Sequence, residues 1–259
     1  MKSKLQLTAL QIPLFWESPL KNRAYIDRKF QSIKASTDIV LLPEMFTTGF
    51  TMTPETIAEP MGGPSMQWMQ TWATKLDAAI GGSLVIYEEG YYYNRFVIVT
   101  PSGDVMHYDK RHTFTLAGEH KTFRAGSNEG IFEYEGWKIC LRICYDLRFP
   151  VWSRNTQDYD VLFYVANWPK PRIQAWDTLL QARAIENLSY VVGVNRIGED
   201  EKGHHYPGHS AVYDPLGNSI SGKISAVETL VTAELDYLEL QAHRKRLRFL
   251  EDRDDFDLY

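Results

Sequence analysis

The chain is poor in cysteine, with only Cys140 and Cys144 among 259 residues. That excludes the disulfide-stapled frameworks of small secreted proteins. If residues 137–144 form a strand, the two Cα atoms lie about 13 Å apart at roughly 3.3 Å rise per residue. A disulfide needs about 4.4–6.8 Å, so the two cannot pair within that strand. Both are expected as free thiols, which suits a reducing compartment and a cytoplasmic location. Long apolar runs are also missing, and none approaches the roughly 20 residues of a membrane-spanning helix. Gln6, Thr8 and Gln11 interrupt the N-terminal stretch where a signal peptide would need continuous apolar residues. There is no excess of positive charge either: the formal net charge is -5. The densest basic run, Arg244-Lys245-Arg246-Leu247-Arg248, is answered at once by Glu251-Asp252-Arg253-Asp254-Asp255. Neither nucleic acid nor an anionic membrane surface is an expected partner; a small molecule is.

What is present supports a large core. Hydrophobic residues make up 44% and aromatics 13% of the chain, with no repeat or low-complexity tract, so one α/β domain over residues 1–259 is expected. Leu5, Leu7 and Ala9 alternate as in a strand, while Ile26, Phe30 and Ile33 recur at helical spacing. Residues 38–42 read as a buried strand stopped by Pro43, 64–78 as a helix and 80–87 as a strand. Residues 94–100 and 105–108 flank Pro101-Ser102-Gly103-Asp104 as a hairpin. Residues 111–130 lack a period and are read as a long, functional loop. A strand ending at Cys144 follows, then a short helix after Pro150, a strand at 161–166, a helix at 173–187 and a strand at 190–195. Two final strand-like runs, 210–213 and 229–233, flank Asp214-Pro215-Leu216-Gly217. The polar segment from Asp236 onward has too few core positions to fold alone and is expected to pack across a partner subunit.

Three residues stand where apolar strands end. Cys144 follows Ile143, Glu44 follows Leu42-Pro43, and Lys110 closes the hairpin's second strand. Strand ends are where α/β folds expose reactive side chains. Singly, each has an ordinary reading: a buried cysteine, a turn glutamate, a surface lysine. Together they supply a nucleophile, a base and a cation for acyl transfer. Cys140, inside the same strand as Cys144, is read as structural.

The surrounding residues resemble a known family. Leu42-Pro43-Glu44, Asp109-Lys110-Arg111-His112 and Cys144-Tyr145-Asp146-Leu147-Arg148-Phe149-Pro150 resemble the three signature blocks of the nitrilase superfamily of carbon–nitrogen hydrolases, in order and separation. The resemblance continues through Ala182-Arg183-Ala184-Ile185-Glu186-Asn187 and Gly208-His209-Ser210. It implies an α/β fold arranged as a four-layer α-β-β-α sandwich that forms a homodimer. It also implies a catalytic triad of Glu44, Lys110 and Cys144, a second glutamate at Glu119, and an oxyanion contact at the Tyr145 amide. No cofactor or metal is implied.

The Cys144–Pro150 block and Ala166-Asn167-Trp168-Pro169-Lys170-Pro171-Arg172 are similar to the omega-amidase branch. That branch hydrolyses the terminal amide of 2-oxoglutaramate and of short dicarboxylic monoamides such as succinamate. Arg172 is then the leading anchor for the distal carboxylate, because a guanidinium binds carboxylate in a bidentate manner. Trp168 would be a pocket wall, and Arg148 would be structural, paired with an acid. The alternatives are an amidase of the same superfamily acting on deaminated glutathione or N-carbamoyl compounds, or a nitrilase. A metallohydrolase built on His204, His205 and His209 is disfavoured, since Gly203, Pro207 and Gly208 make that segment a loop. A binding module that has lost its chemistry is disfavoured because all three triad residue types are present.

Overall fold

The computed structural model describes residues 1–222 and 226–258. The first half lays down β1 (Lys4–Gln11), α1 (Pro19–Phe30), β2 (Ile39–Leu41), α2 (Pro64–Leu76), β3 (Ala79–Glu88), β4 (Tyr91–Val99) and β5 (Val105–Asp109). The second half continues with β6 (Ile131–Tyr134), β7 (Trp137–Ile143), β8 (Val161–Ala166), α3 (Ile173–Asn187) and β9 (Tyr190–Asn195). A short ribbon of β10 (Ile197–Glu199) and β11 (His205–Pro207) precedes β12 (Ala211–Tyr213), β13 (Thr229–Asp236) and α4 (Tyr237–Leu247). Both α1 and α2 open on proline, whose missing N–H would be unpaired at a helix start in any case.

Two sheets result, ordered β13-β1-β2-β3-β4-β5 and β12-β9-β8-β7-β6. Each holds a parallel trio, β1-β2-β3 in one and β7-β8-β9 in the other, extended by antiparallel strands. Alternation along the strands divides the core into three layers. Leu5, Leu7 and Ala9 of β1 meet Trp137, Ile139, Leu141 and Ile143 of β7 between the sheets. Leu10 of β1 turns the other way, onto Phe30 of α1 and Met69 and Trp72 of α2. Cys140, Leu162 and Tyr164 pack outward against Trp176 and Leu180 of α3. Gly193 lets α3 sit close on β9, because a Cβ there would lie 2.3 Å from Leu180. Helix, sheet, sheet and helix form the four-layer α-β-β-α sandwich.

Two expectations need revision. The short helical turn falls on Cys144–Arg148, before Pro150 and not after it. Asp146 accepts the Ile143 N–H at 3.0 Å and tightens the chain as soon as β7 ends. After Pro150 the chain makes turns that bury Ser153 and Asn155, the latter bonded to Asn187 and Tyr159. The two last strand-like runs do not pair with each other: β12 joins β9, whereas β13 crosses to β1 in the other sheet. The C-terminal segment opens on α4, which packs against the body of its own chain. Asp236 caps it by accepting from Leu238 and Glu239, Leu240 is fully buried, and Arg244 binds Asp160 and the Leu188 carbonyl.

Candidate active site

The parallel trios aim their carboxyl ends at one place. Glu44 lies just beyond β2, Cys144 just beyond β7, Asn167 just beyond β8, and Lys110 follows β5. Cys144 takes a left-handed backbone angle, φ 44°, which turns it off the rigid strand into the start of the Cys144–Arg148 turn. For a side chain with a Cβ that conformation is strained, and such strain clusters where function requires a fixed geometry. Glu44, Lys110 and Cys144 line one cavity of about 360 Å³.

Around them the polar groups are linked into one network. Lys110 Nζ donates to Glu44 Oε1 at 2.8 Å and to Glu119 Oε2 and Oε1 at 2.9 and 3.1 Å. Asn94 Nδ2 bridges the same carboxylates, at 2.8 Å from Glu44 Oε1 and 3.2 Å from Glu119 Oε1. Ser83 Oγ donates to Asn94 Oδ1 at 2.8 Å and fixes that amide's orientation. The Asn167 N–H donates to Glu44 Oε2 at 2.8 Å, and Asn167 Nδ2 donates to the Glu44 carbonyl at 2.7 Å. Glu119 also accepts from the Phe114 N–H. Glu44 and Glu119 are 0% exposed and Lys110 is 1%. Charges so buried persist only when paired and hydrogen-bonded, as here.

The electrostatics follow from that burial. Desolvation alone would lower the Lys110 pKa, but the Glu119 and Glu44 carboxylates outweigh it and hold the ammonium above its ordinary value. Burial raises the Glu119 pKa, with Lys110 opposing and Glu44 adding to the rise. The Cys144 thiol is held well above its ordinary value by burial and then by Glu44, against the pull of Lys110. Burial and Glu44 together favour the protonated thiol over the thiolate at Cys144, and the Lys110 ammonium beside it does not offset them.

Asp146 ties the nucleophile's turn to the lysine's strand. Its Oδ2 accepts from the Ile143 N–H and from Tyr108 Oη, at 3.0 and 2.8 Å. Its Oδ1 accepts from the His112 N–H at 3.0 Å and faces His112 Nδ1 at 2.8 Å. The His112 ring lies flat on Phe149, with centroids 3.7 Å apart.

The outer cavity is of another kind. Trp168 forms a wall, its indole N–H donating to the Arg172 carbonyl at 2.7 Å. Tyr145 packs edge-on against Phe114 and Phe149. Arg172 lines the cavity with its guanidinium 5.3 Å from the Phe114 ring centre. Arg148 is not paired with an acid among the described residues: it lines the same cavity, 5.0 Å over the Trp168 ring. The three histidines diverge. His204 turns to Asp200 and His209 to Asp177, while His205 is exposed.

The sequence reading brought Glu44, Lys110, Cys144, Glu119, Tyr145, Trp168 and Arg172 to this region, and the structure assembles them there. It missed Asn94, Asn167 and Asp146. Asn94 left a signal, as a polar residue within the apolar strand β4, and Asn167 sits at a strand end as Cys144 does.

Fold and site together define a class. The carbon-nitrogen hydrolase family profile matches residues 6–245, and the chain belongs to that family, within the nitrilase superfamily. It is a hydrolase acting on carbon–nitrogen bonds other than peptide bonds. The chain is 46% identical to the omega-amidase YafV of Yersinia enterocolitica over 98% of both chains. It is 33% identical to the 2-oxoglutaramate amidase of Bacillus subtilis, over 96% of this chain and 97% of that one. A crystal structure of a CN-hydrolase superfamily protein from Xanthomonas campestris, with an arsenic adduct in its active site, superposes with a TM-score of 0.96. It is 40% identical, and the match covers 100% of both chains.

Proposed function

We propose that the protein is an omega-amidase that removes the terminal amide of a small dicarboxylic monoamide, 2-oxoglutaramate or succinamate, through a thioester on Cys144. The observation that carries this reading is the pairing of a buried Glu44–Lys110–Glu119 cluster beside Cys144 with a cavity mouth whose arginines, Arg148 and Arg172, have no acidic partner among the described residues. The names of the Yersinia and Bacillus relatives support it.

The steps follow from the charges. Glu44 takes the Cys144 proton as sulfur attacks the amide carbon. The carbonyl oxygen becomes an anion beside the Lys110 ammonium and the Tyr145 N–H, at the start of a turn where N–H groups lack internal partners. Collapse breaks the C–N bond, Glu44 returns the proton to nitrogen, and ammonia leaves. Water then gives a proton to Glu44 and attacks the thioester; the thiol is re-formed and the acid departs. Glu119 transfers no proton and holds Lys110 in place. Arg172 meets the distal carboxylate, and Trp168 shapes the slot between.

The protein acts as a homodimer in the cytoplasm, where reducing conditions preserve the thiol. Exposed Val151, Ile185, Leu216 and Phe256 supply apolar surface for the pairing. Ammonia release from 2-oxoglutaramate, succinamate, glutamine and a simple nitrile, measured side by side, tests the substrate. Fast turnover of the first two supports the reading, and preference for the nitrile overturns it. Sedimentation at two chain masses is the expected oligomeric state.

A further inference from the structure

The ribbon of β10 and β11 is closed by Asp200-Glu201-Lys202-Gly203-His204, and Asp200 organises this turn. Its Oδ1 accepts the N–H groups of Lys202 and His204, both at 2.9 Å. Its Oδ2 accepts from Tyr206 Oη at 2.8 Å and faces His204 Nδ1 at 3.0 Å. An aspartate that bonds back to N–H groups two and four residues on makes a stiff turn. Gly203, at φ +73°, takes the left-handed position that closes it. Tyr206 anchors the turn to the body of the protein, because the Arg196 guanidinium lies 4.6 Å over its ring. Arg196 is itself fixed, donating to the carbonyls of Leu14 and Glu199.

This turn forms part of the active-site cavity, which Asp200, Lys202, His204 and Tyr206 all line. Asp200 is the sole carboxylate in the outer lining, and its oxygens already hold four partners within the turn. Lys202 makes no side-chain hydrogen bond or ion pair among the described residues, and neither do Arg148 and Arg172. Three cations therefore line one cavity mouth without an ion pair of their own among the described residues. An entering anion has no existing ion pair to break there.

We propose that Lys202 is a specificity-determining residue, its ammonium gripping the substrate's distal carboxylate together with Arg172. This rests on the omega-amidase reading and deepens it. The two cations differ usefully: the guanidinium offers a planar fork, and the ammonium a compact charge on a flexible stem. The Asp200 turn holds the lysine backbone at the mouth, so only its side chain must be ordered on binding.

The test uses Lys202→Gln and Lys202→Arg in the full chain, with succinamate and butyramide, which differ only in carboxylate against methyl at the far end. For Lys202→Gln the KM for succinamate should rise about tenfold, as loss of a charged hydrogen bond implies. Its kcat should stay within about twofold, its butyramide kinetics should not change, and Lys202→Arg should recover most of the loss. An unchanged succinamate KM overturns the proposal. So does an equal rise for butyramide, which would make the turn a wall only. If the unsubstituted enzyme shows no preference for succinamate over butyramide, the omega-amidase reading itself falls. If that preference exists and survives in Lys202→Gln, only the role of Lys202 falls.

Discussion

The floor and the rim of one cavity are built on opposite principles. At the floor the charged groups are all committed: Glu44, Glu119 and Lys110 are linked to one another and to Asn94 and Asn167 across segments far apart in the chain, while Asn167 Oδ1 has no donor among the described residues. At the rim Arg148, Arg172 and Lys202 make no hydrogen bond or ion pair through their charged groups among the described residues, and the two guanidiniums lie only over the Trp168 and Phe114 rings. The floor must hold its geometry before substrate arrives, because preorganised charge is what stabilises a developing oxyanion. The rim must keep its charges available, because the partner they await is the substrate. On the proposed function, pairing marks the chemical machinery here, and the lack of an acidic partner marks recognition.

If that division is right, substitutions at the two levels should fail differently. Apart from loss of Cys144 itself, the largest effect is expected for Glu44→Gln, about a thousandfold loss of kcat, as for removal of a general base. The same change removes the carboxylate that, after burial, does most to raise the Cys144 pKa, while Lys110 still pulls it down. Alkylation of Cys144 by iodoacetamide near neutral pH should therefore become faster while turnover collapses. Parallel loss of both would show that Glu44 serves only to hold the fold.

Lys110→Ala leaves two buried carboxylates facing each other, so the floor should lose stability as well as activity. We expect about 3–5 kcal/mol of destabilisation in urea unfolding, typical of breaking a buried ion pair. A loss below about 1 kcal/mol would mean the cluster is looser than its distances indicate. At the rim, Arg172→Ala should leave stability and kcat nearly intact and raise the KM for succinamate about tenfold. A matching fall in kcat would erase the distinction between the two levels.

Cys140 sharpens the contrast from outside the cavity. Burial pushes its thiol up to about 11, from an ordinary value near 9. Between those values the unfolded chain releases this proton and the folded chain keeps it, so stability falls as pH rises. The share of Cys140 amounts to about 2 kcal/mol by pH 11. Urea midpoints should decline from pH 9 to 11, and less steeply in Cys140→Ala. Equal slopes would remove Cys140 from the account.

The floor was largely legible in the sequence because each reactive residue directly follows an apolar strand. Glu44 comes after Leu41-Leu42-Pro43, Cys144 after β7 and Lys110 after β5, so strand patterning and residue chemistry pointed to the same three positions. Glu119 was legible only through its place in a resembling block, since its loop has no period. Asn94 and Asn167 left only positional hints, a polar residue in an apolar strand and a strand end, because the partners that give them a role lie far off in the chain; Asn167, for example, meets Glu44 across 123 residues. The same limit hid the pairing of β13 with β1, which nothing local encodes. Arg148 was misread because an arginine in a signature block suggests a structural ion pair. Its actual neighbour is an indole supplied by the next loop.

The account turns on Cys144 as the group that bonds to substrate. The most direct measurement is ammonia release from succinamate by Cys144→Ala, compared with the unsubstituted protein at saturating substrate. Loss of the nucleophile should reduce kcat by at least about ten-thousandfold. Turnover within tenfold of the unsubstituted rate would contradict it.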